Sequence, residues 1–108
     1  MQILRYGTVL DAVVDETASN CTEIPYADFA GGLIFIPNGT SINSLKFDVA
    51  PEPGGTYERL YNSSNAEVAI TAAADRAYPL PDELFGAGAF KIITNSITAE
   101  TVKVSLKG

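Results

Sequence analysis

The sequence predicts an all-β domain, an antiparallel β-sandwich of jelly-roll-like form with about eight short strands. The first observation is the C-terminal segment 101–107, in which Val102, Val104 and Leu106 alternate with polar residues. A two-residue period is typical of a strand with one buried face. The second observation is a series of short apolar segments, separated by turns rich in Gly, Pro and Asn roughly every 8–12 residues. This spacing favours a sandwich over a helical bundle.

The N-terminal part of the chain contains less regular strands. Residues 1–6 are expected to form a short arm or an edge strand. Residues 8–14 are apolar and rich in β-branched side chains, which predicts the first strand. A polar break at 15–20 leads to a weaker strand at 21–26, which Pro25 limits because proline has no N–H to donate.

Two stronger strands follow. Residues 33–36 are a continuous apolar run bounded by Gly and Pro, which predicts a strand buried on both faces. The Pro-Asn-Gly sequence at 37–39 is a strong turn signal, since Asn-Gly readily adopts positive φ. Residues 44–49 then alternate, with Leu45, Phe47 and Val49 toward the core and Ser44, Lys46 and Asp48 outward.

A loop at 50–55, rich in Pro and Gly, interrupts the strands. A strand is expected at 56–61 and, after an Asn-Ser turn, another at 67–71. The side chains expected on one side of the first of these strands are Tyr57, Arg59 and Tyr61, and those expected inward on the second are Val68 and Ile70.

The next segment contains the one predicted helical turn. Residues 72–75 have helix propensity but are too few to form a helix alone, and the prolines in 76–81 predict an extended chain. Residues 82–86 are expected to form a single helical turn, with Pro81 in its first position and Gly86 at its end.

Strands at 89–94 and 101–107 complete the predicted sandwich. The residues expected to be mostly buried are Leu33, Phe35, Leu45, Phe47, Val49, Val68, Ile70, Phe90, Ile92, Val102, Val104 and Leu106.

The length of 108 residues is that of one domain, within which we distinguish an N-terminal arm or edge strand, residues 1–16, from a β-sandwich domain, residues 17–108. The net charge of −6 disfavours binding to nucleic acid and to anionic membranes. The single cysteine, Cys21, excludes an intrachain disulfide and is expected in the core. With no signal-like or membrane-spanning segment apparent, the expected location is a reducing cytoplasm or a larger assembly formed there.

The sequence offers few groups for catalysis. It has no histidine, and carboxylates that are neighbours along a strand point to opposite faces, so we expect no enzyme, no cofactor and no metal. A carboxylate pair such as Glu58 and Glu67, or a calcium site in the loops at 15–20 or 62–67, is conceivable, but no ordered spacing supports either.

Candidate partner contacts are Val9, Val13, Tyr57, Arg59, Tyr61 and Arg76. Tyr57, Tyr61 and Tyr78 could form a platform for a sugar, or they could be ordinary core and rim residues. Arg59 and Arg76 could be interface anchors or solvated side chains.

Much of the first strand has apolar residues on both faces, with Leu10, Ala12 and Val14 on one face and Val9 and Val13 on the other. A strand of this kind needs cover on both sides. That cover is either a neighbouring copy or larger shell, or the loops of the same chain around a central strand.

Several segments together resemble the small β-sandwich structural proteins of tailed bacteriophages, and their strand order is also similar to that of galactose-binding-like jelly rolls. They are residues 32–40, 45–49, 54–57, 76–82, 90–92 and 102–106. The similar part covers roughly residues 30–108 and contains a strand ending in Ile-Pro-x-Gly, a second strand and a Gly-rich hairpin ending in Thr-Tyr. A carbohydrate-binding relative often has a surface Trp, and this chain has no Trp.

The resemblance implies a capsid decoration or cement protein that stabilises the head by binding the major capsid protein. It implies a virion location on the outer head surface, after assembly in the host cytoplasm, and a homo-oligomer, expected by lattice symmetry to be a trimer. The alternative is a carbohydrate- or receptor-binding module on a phage tail or head fibre.

Overall fold

A computed structural model describes residues 7–108 and contains nine strands and two short 3₁₀ turns. The strands are β1 (Gly7–Val14), β2 (Ile24–Pro25), β3 (Gly31–Ile36), β4 (Ser44–Ala50), β5 (Glu58–Arg59), β6 (Ala69–Thr71), β7 (Arg76–Pro79), β8 (Ala89–Thr94) and β9 (Glu100–Lys107). The 3₁₀ turns are Ala18–Asn20 and Asp82–Gly86. The predicted all-β class is confirmed. The expected arm at residues 1–6 lies outside the described residues.

The strands form two antiparallel sheets. The four-stranded sheet has the order β1-β9-β3-β7, and the five-stranded sheet has the order β2-β8-β4-β5, with β6 also paired to β4. Consecutive strands mostly alternate between the two sheets, so the chain crosses the sandwich repeatedly. This two-layer arrangement confirms the predicted β-sandwich.

The core lies between the inner faces of the two sheets. Phe47 and Phe90 of the five-stranded sheet pack edge to face with ring centroids 6.3 Å apart, and Tyr26 packs on Phe90 at 5.3 Å. Of the residues predicted to be mostly buried, eight are buried, namely Leu45, Phe47, Val68, Phe90, Ile92, Val102, Val104 and Leu106. Val49 and Ile70 are only half-buried and pack against the core from its margin.

The prediction for β3 was wrong about its outer face. Leu33 and Phe35 are each 42% exposed, whereas Ile34 and Ile36 are buried. The five-stranded sheet covers one face of β3, and in the described residues no layer lies on the other. A run of four apolar residues carries no alternation to reveal this, so its burial on both faces was an incorrect inference.

Two predicted strands are shorter than expected. The strand predicted at 56–61 is reduced to β5, and Tyr61 makes only an isolated bridge to Glu67. The strand predicted at 21–26 is reduced to β2, where Pro25 lacks a donor for further pairing.

The predictions are confirmed for the turn at Gly39 and for a single helical turn at 82–86, but not for the position of Pro81. Gly39 adopts φ 84° in the turn after β3, a conformation that an L side chain rarely adopts. The turn at Asp82–Gly86 is a single 3₁₀ element, and Pro81 precedes it as the extended N-cap residue instead of occupying its first position.

β1 lies at the edge of the four-stranded sheet and pairs with β9 along all eight of its residues, from Gly7 opposite Lys107 to Val14 opposite Glu100. Ala12 and Val14 are buried in the core, while Val9 is 61% exposed. The alternative of a central strand covered by the chain's own loops is therefore wrong. No helix in the described part of the chain is long and apolar enough to cross a membrane.

Candidate functional site

The outer face of the four-stranded sheet carries an ordered set of side chains, which we call the apolar face. The pairing registers place these residues in rows across the strands. One row is Val9, Ser105, Leu33 and Pro79, and the next is Asp11, Lys103, Phe35 and Ala77. Val13 opposite Thr101 begins a third row.

Large apolar side chains on this face are open to solvent. Val9, Val13, Leu33 and Phe35 are all exposed, and a depression of about 470 Å³ lies beside Phe35. A group of exposed apolar side chains on one regular sheet face is a candidate surface for interaction with another protein.

One ion pair lies within the apolar face. Lys103 Nζ is 2.8 Å from Asp11 Oδ1, and both side chains are more than half exposed. Exposed pairs of this kind contribute little to folding, typically about 0–1 kcal/mol. The pair therefore keeps the middle of the face nearly neutral without fixing its shape.

The outer face of the five-stranded sheet is different and carries a chain of charges, which we call the charged face. Arg59 Nε donates to Asp48 Oδ1 at 2.5 Å, Arg59 Nη1 donates to Glu67 Oε2 at 2.9 Å, and Lys46 Nζ lies 3.0 Å from Glu67 Oε1. The hydrogen bond to Asp48 raises the pKa of Arg59, and the hydrogen bonds from Lys46 and Arg59 lower the pKa of Glu67. Asp48 faces outward as predicted but is buried, because Arg59 lies over it.

Tyr57 belongs to the same face and is held from two sides. Its hydroxyl donates to Glu23 Oε2, and Lys91 Nζ lies 4.7 Å from its ring centroid. Glu23 also accepts from the Gly54 N–H at 2.9 Å, so these contacts tie the 50–55 loop to the sheet. Desolvation and then the bond to Glu23 raise the pKa of Tyr57, and the same bond lowers that of Glu23.

The structure divides the predicted contact residues between the two faces. Val9 and Val13 lie on the apolar face, whereas Arg59 and Tyr57 lie on the charged face and Tyr61, which is exposed, follows β5. Arg76 is exposed at the start of β7.

The three tyrosines of the hypothetical sugar platform do not share a surface. Tyr78 lies on β7 of the four-stranded sheet, opposite the buried Ile34, and its hydroxyl accepts from the Ala73 N–H at 2.8 Å. Tyr57 and Tyr61 flank β5 of the other sheet, and Tyr57 is already bound as described.

The loops considered for calcium use their oxygens internally. Asp15 accepts from the Thr17 N–H at 2.7 Å and from Asn20 Nδ2 at 3.0 Å. Asn62 Oδ1 accepts from the backbone N–H groups of Ser64 and Ala66. Within residues 7–108, no group of three or more His, Cys, Asp or Glu side chains is placed to hold a metal ion.

Cys21 is buried, as predicted. Its Sγ lies 3.4 Å from the Thr17 carbonyl oxygen and 3.7 Å from that of Asp15. Burial raises the pKa of this thiol, which keeps it protonated and disfavours a nucleophilic role.

Comparisons of the chain with protein-family models, with curated proteins and with solved structures found no match.

Sequence reasoning missed the central part of both faces. Leu33 and Phe35 are predicted in the core because the apolar run in β3 shows no alternation, and their outward direction follows only from the register that pairs them with Ser105 and Lys103 of β9. Glu23, Lys46 and Lys91 were not recognised as members of a charged face. Glu23 and Tyr57 are 34 residues apart, so no local pattern links them.

Proposed function

We propose that this chain is a structural assembly protein, and most specifically a capsid decoration protein of a tailed bacteriophage. In this proposal the apolar face binds the major capsid protein on the outer surface of the head. The observation that carries the proposal is the exposure of Val9, Val13, Leu33 and Phe35 on one regular sheet face. The resemblance to phage β-sandwich proteins supplies the identity of the partner.

The charge distribution supports the same assignment. The chain has a net charge of −6, but the charged side chains in the rows of the apolar face are Asp11, Lys103 and, at the margin, Lys107. The apolar face therefore carries little of the negative charge of the molecule. Burial of apolar side chains across subunit boundaries, repeated over many copies, would stabilise a shell and would require no catalysed reaction.

The proposal is tested by binding the protein to heads that lack it. Replacing Phe35 by Asp places a charge in the apolar face, and we expect the affinity for undecorated heads to fall at least about tenfold, as for a contact residue at an interface centre. Tyr61→Asp is the matched control, because Tyr61 is also exposed but follows β5 of the other sheet.

Equal attachment of the Phe35→Asp variant and the wild type would overturn the assignment of this face. Labelled protein located by electron microscopy anywhere other than the outer head surface would overturn the assignment as a decoration protein. Glycan-array binding that is lost in Tyr61→Ala would instead support the alternative, a carbohydrate- or receptor-binding module of a fibre.

A further inference from the structure

β1 is the long edge strand of the described sandwich. It has eight residues and contains neither proline nor lysine. The strands at the other three ends of the sheet orders are protected by shortness or by proline: β7 has four residues and ends in Pro79, β2 has two residues, one of them Pro25, and β5 has two residues. Natural sheets usually block an edge of β1's length, because its free N–H and C=O groups can pair with another strand.

The hydrogen-bonding pattern locates the free part of this edge. Val13 N–H donates to Thr22 Oγ1 at 2.8 Å, and Val13 C=O accepts from Thr22 N–H at 3.0 Å, so the backbone groups of Val13 point away from β9. Residues of an antiparallel strand alternate in this respect. The backbone groups of Gly7, Val9 and Asp11 therefore also point away from β9, and no other segment among residues 7–108 bonds to them.

We infer that β1 pairs with β1 of a second copy of this chain, antiparallel, about a two-fold axis at Val9. Among pairings of residues 7–14 alone, only this register uses all three free positions, with Val9 opposite Val9 and Gly7 opposite Asp11 of the second copy. Each of these pairs exchanges two backbone hydrogen bonds. Thr22 already binds the backbone N–H and C=O of Val13. In the register that places Val9 opposite Asp11, a third pair would need Gly7 opposite Val13, and Thr22 prevents that pair.

The charges beside this edge favour a second copy of this chain as the occupant. The Lys107 side chain lies over Gly7, since a Cβ placed on Gly7 would be 2.9 Å from Lys107 Nζ. In the two-fold register, Asp11 of the second copy falls opposite Gly7 on the same face of the sheet. Its carboxylate, which lies 2.8 Å from Lys103 Nζ of its own chain, then lies between that group and the Lys107 ammonium group of the first copy, and symmetry repeats this arrangement on the other side of the axis.

The apolar side chains also match across the axis. Val9 is 61% exposed and meets its own equivalent, so the row Pro79, Leu33, Ser105 and Val9 continues into the second copy. On the inner side, Thr8 falls opposite Leu10, which is half-buried in a single chain and would be covered in the pair. The two four-stranded sheets thereby become one continuous sheet.

The test uses point variants, because removing β1 would also remove Ala12 and Val14 from the core. Val9→Pro deletes an N–H that points away from β9, which an edge strand tolerates, so the fold should remain. Sedimentation equilibrium of the wild type should give a species of twice the 11.4 kDa chain mass, and Val9→Pro should raise the dimer Kd at least tenfold. Phe35→Ser, on the same sheet but away from the edge, should not change the dimer Kd.

A charge reversal tests the register. Lys107→Glu should weaken the dimer by placing a carboxylate near Asp11 of the second copy, and Asp11→Asn combined with Lys107→Glu should recover part of the loss without placing a second cation beside Lys103. Lys46→Glu on the other sheet should have no effect. A monomeric wild type at all concentrations, a trimer, or an unchanged Kd in Val9→Pro would each overturn the inference. Because Val9 also belongs to the apolar face, the two proposals are separated at Phe35: head binding that is lost in Phe35→Asp while the dimer Kd is unchanged would leave the proposed function standing whether or not β1 pairs.

Discussion

At the scale of the residue, Arg59 binds two carboxylates on different segments of the chain: Asp48 lies on β4, and Glu67 lies just before β6. Alternation in the sequence placed Arg59 beside Tyr57 and Tyr61, but its partners Asp48 and Glu67 are set by the pairing of β5 with β4 and by the Tyr61–Glu67 bridge. A side chain's direction can be predicted from a two-residue period, whereas its partner depends on register, which a single sequence leaves open.

Removing the guanidinium should leave the buried Asp48 without its cation. We expect Arg59→Met to lower the free energy of unfolding by about 1–2 kcal/mol, less than for a fully buried pair because Arg59 is partly exposed. Lys103→Met is the matched control, since its ion pair with Asp11 is exposed, and it should change stability by less than about 0.5 kcal/mol. Urea unfolding measures the free energy of unfolding of both variants. Equal losses in Arg59→Met and Lys103→Met would show that the buried Asp48 does not depend on Arg59 for its stability in the fold.

The carboxylates of Glu23 and Glu67 make the free energy of unfolding depend on pH in the acidic range. Their hydrogen bonds lower both pKa values in the folded protein below the ordinary value of 4.5, so the unfolded chain binds protons first as the pH falls. The stability they contribute is complete above that value and is lost as the pH falls through the folded pKa. We expect Glu67→Gln to be less stable than the wild type at pH 7, and the difference to shrink below about pH 4.5. A difference that stays constant in urea titrations down to pH 3 would contradict this.

At the scale of the element, β3 and β4 show what a strand's own sequence can predict. In β4, Lys46 and Asp48 interrupt the apolar residues, so its inner face was predicted correctly. In β3 every side chain from Leu33 to Ile36 is apolar, and only the register with β9 distinguishes the exposed pair from the buried one. The apolar face could therefore be predicted in part from Val9 and Val13, and its centre could not.

Two phenylalanines on these strands provide a matched comparison. Phe47 is completely buried between the sheets, so Phe47→Ala should cost about 3–5 kcal/mol through lost burial and a cavity. Phe35 is 42% exposed, and Phe35→Ala should cost less than about 1.5 kcal/mol, because much of its ring is already in water. Chemical unfolding of both variants, under conditions where the chain is monomeric, checks the order; equal costs would mean that Phe35 is a core residue after all.

At the scale of the whole molecule, the sandwich follows from patterns that recur along the chain, and the surfaces follow from how the strands combine. Turn residues and alternating strands were enough to predict two packed antiparallel layers. An edge position for residues 1–16 was among the expectations, but the sequence could not predict that β1 pairs with β9, that Thr22 binds the backbone of Val13, or that Lys107 lies over Gly7. Each of these features depends on which strands become neighbours, and β1 and β9 are at opposite ends of the chain.

The whole molecule should unfold in one transition, because one core cluster contains residues from both sheets. Far-UV circular dichroism reports the strands, and near-UV circular dichroism reports tyrosines such as Tyr26, which is buried against Phe90. The two signals should coincide during unfolding, and separate transitions would mean that the sheets unfold independently.

If two chains pair through β1, the midpoint of unfolding should also rise with protein concentration, since association stabilises only the folded state. Val9→Pro should remove that dependence while keeping the single transition, so a wild-type midpoint that does not change over a hundredfold range of concentration would contradict the pairing.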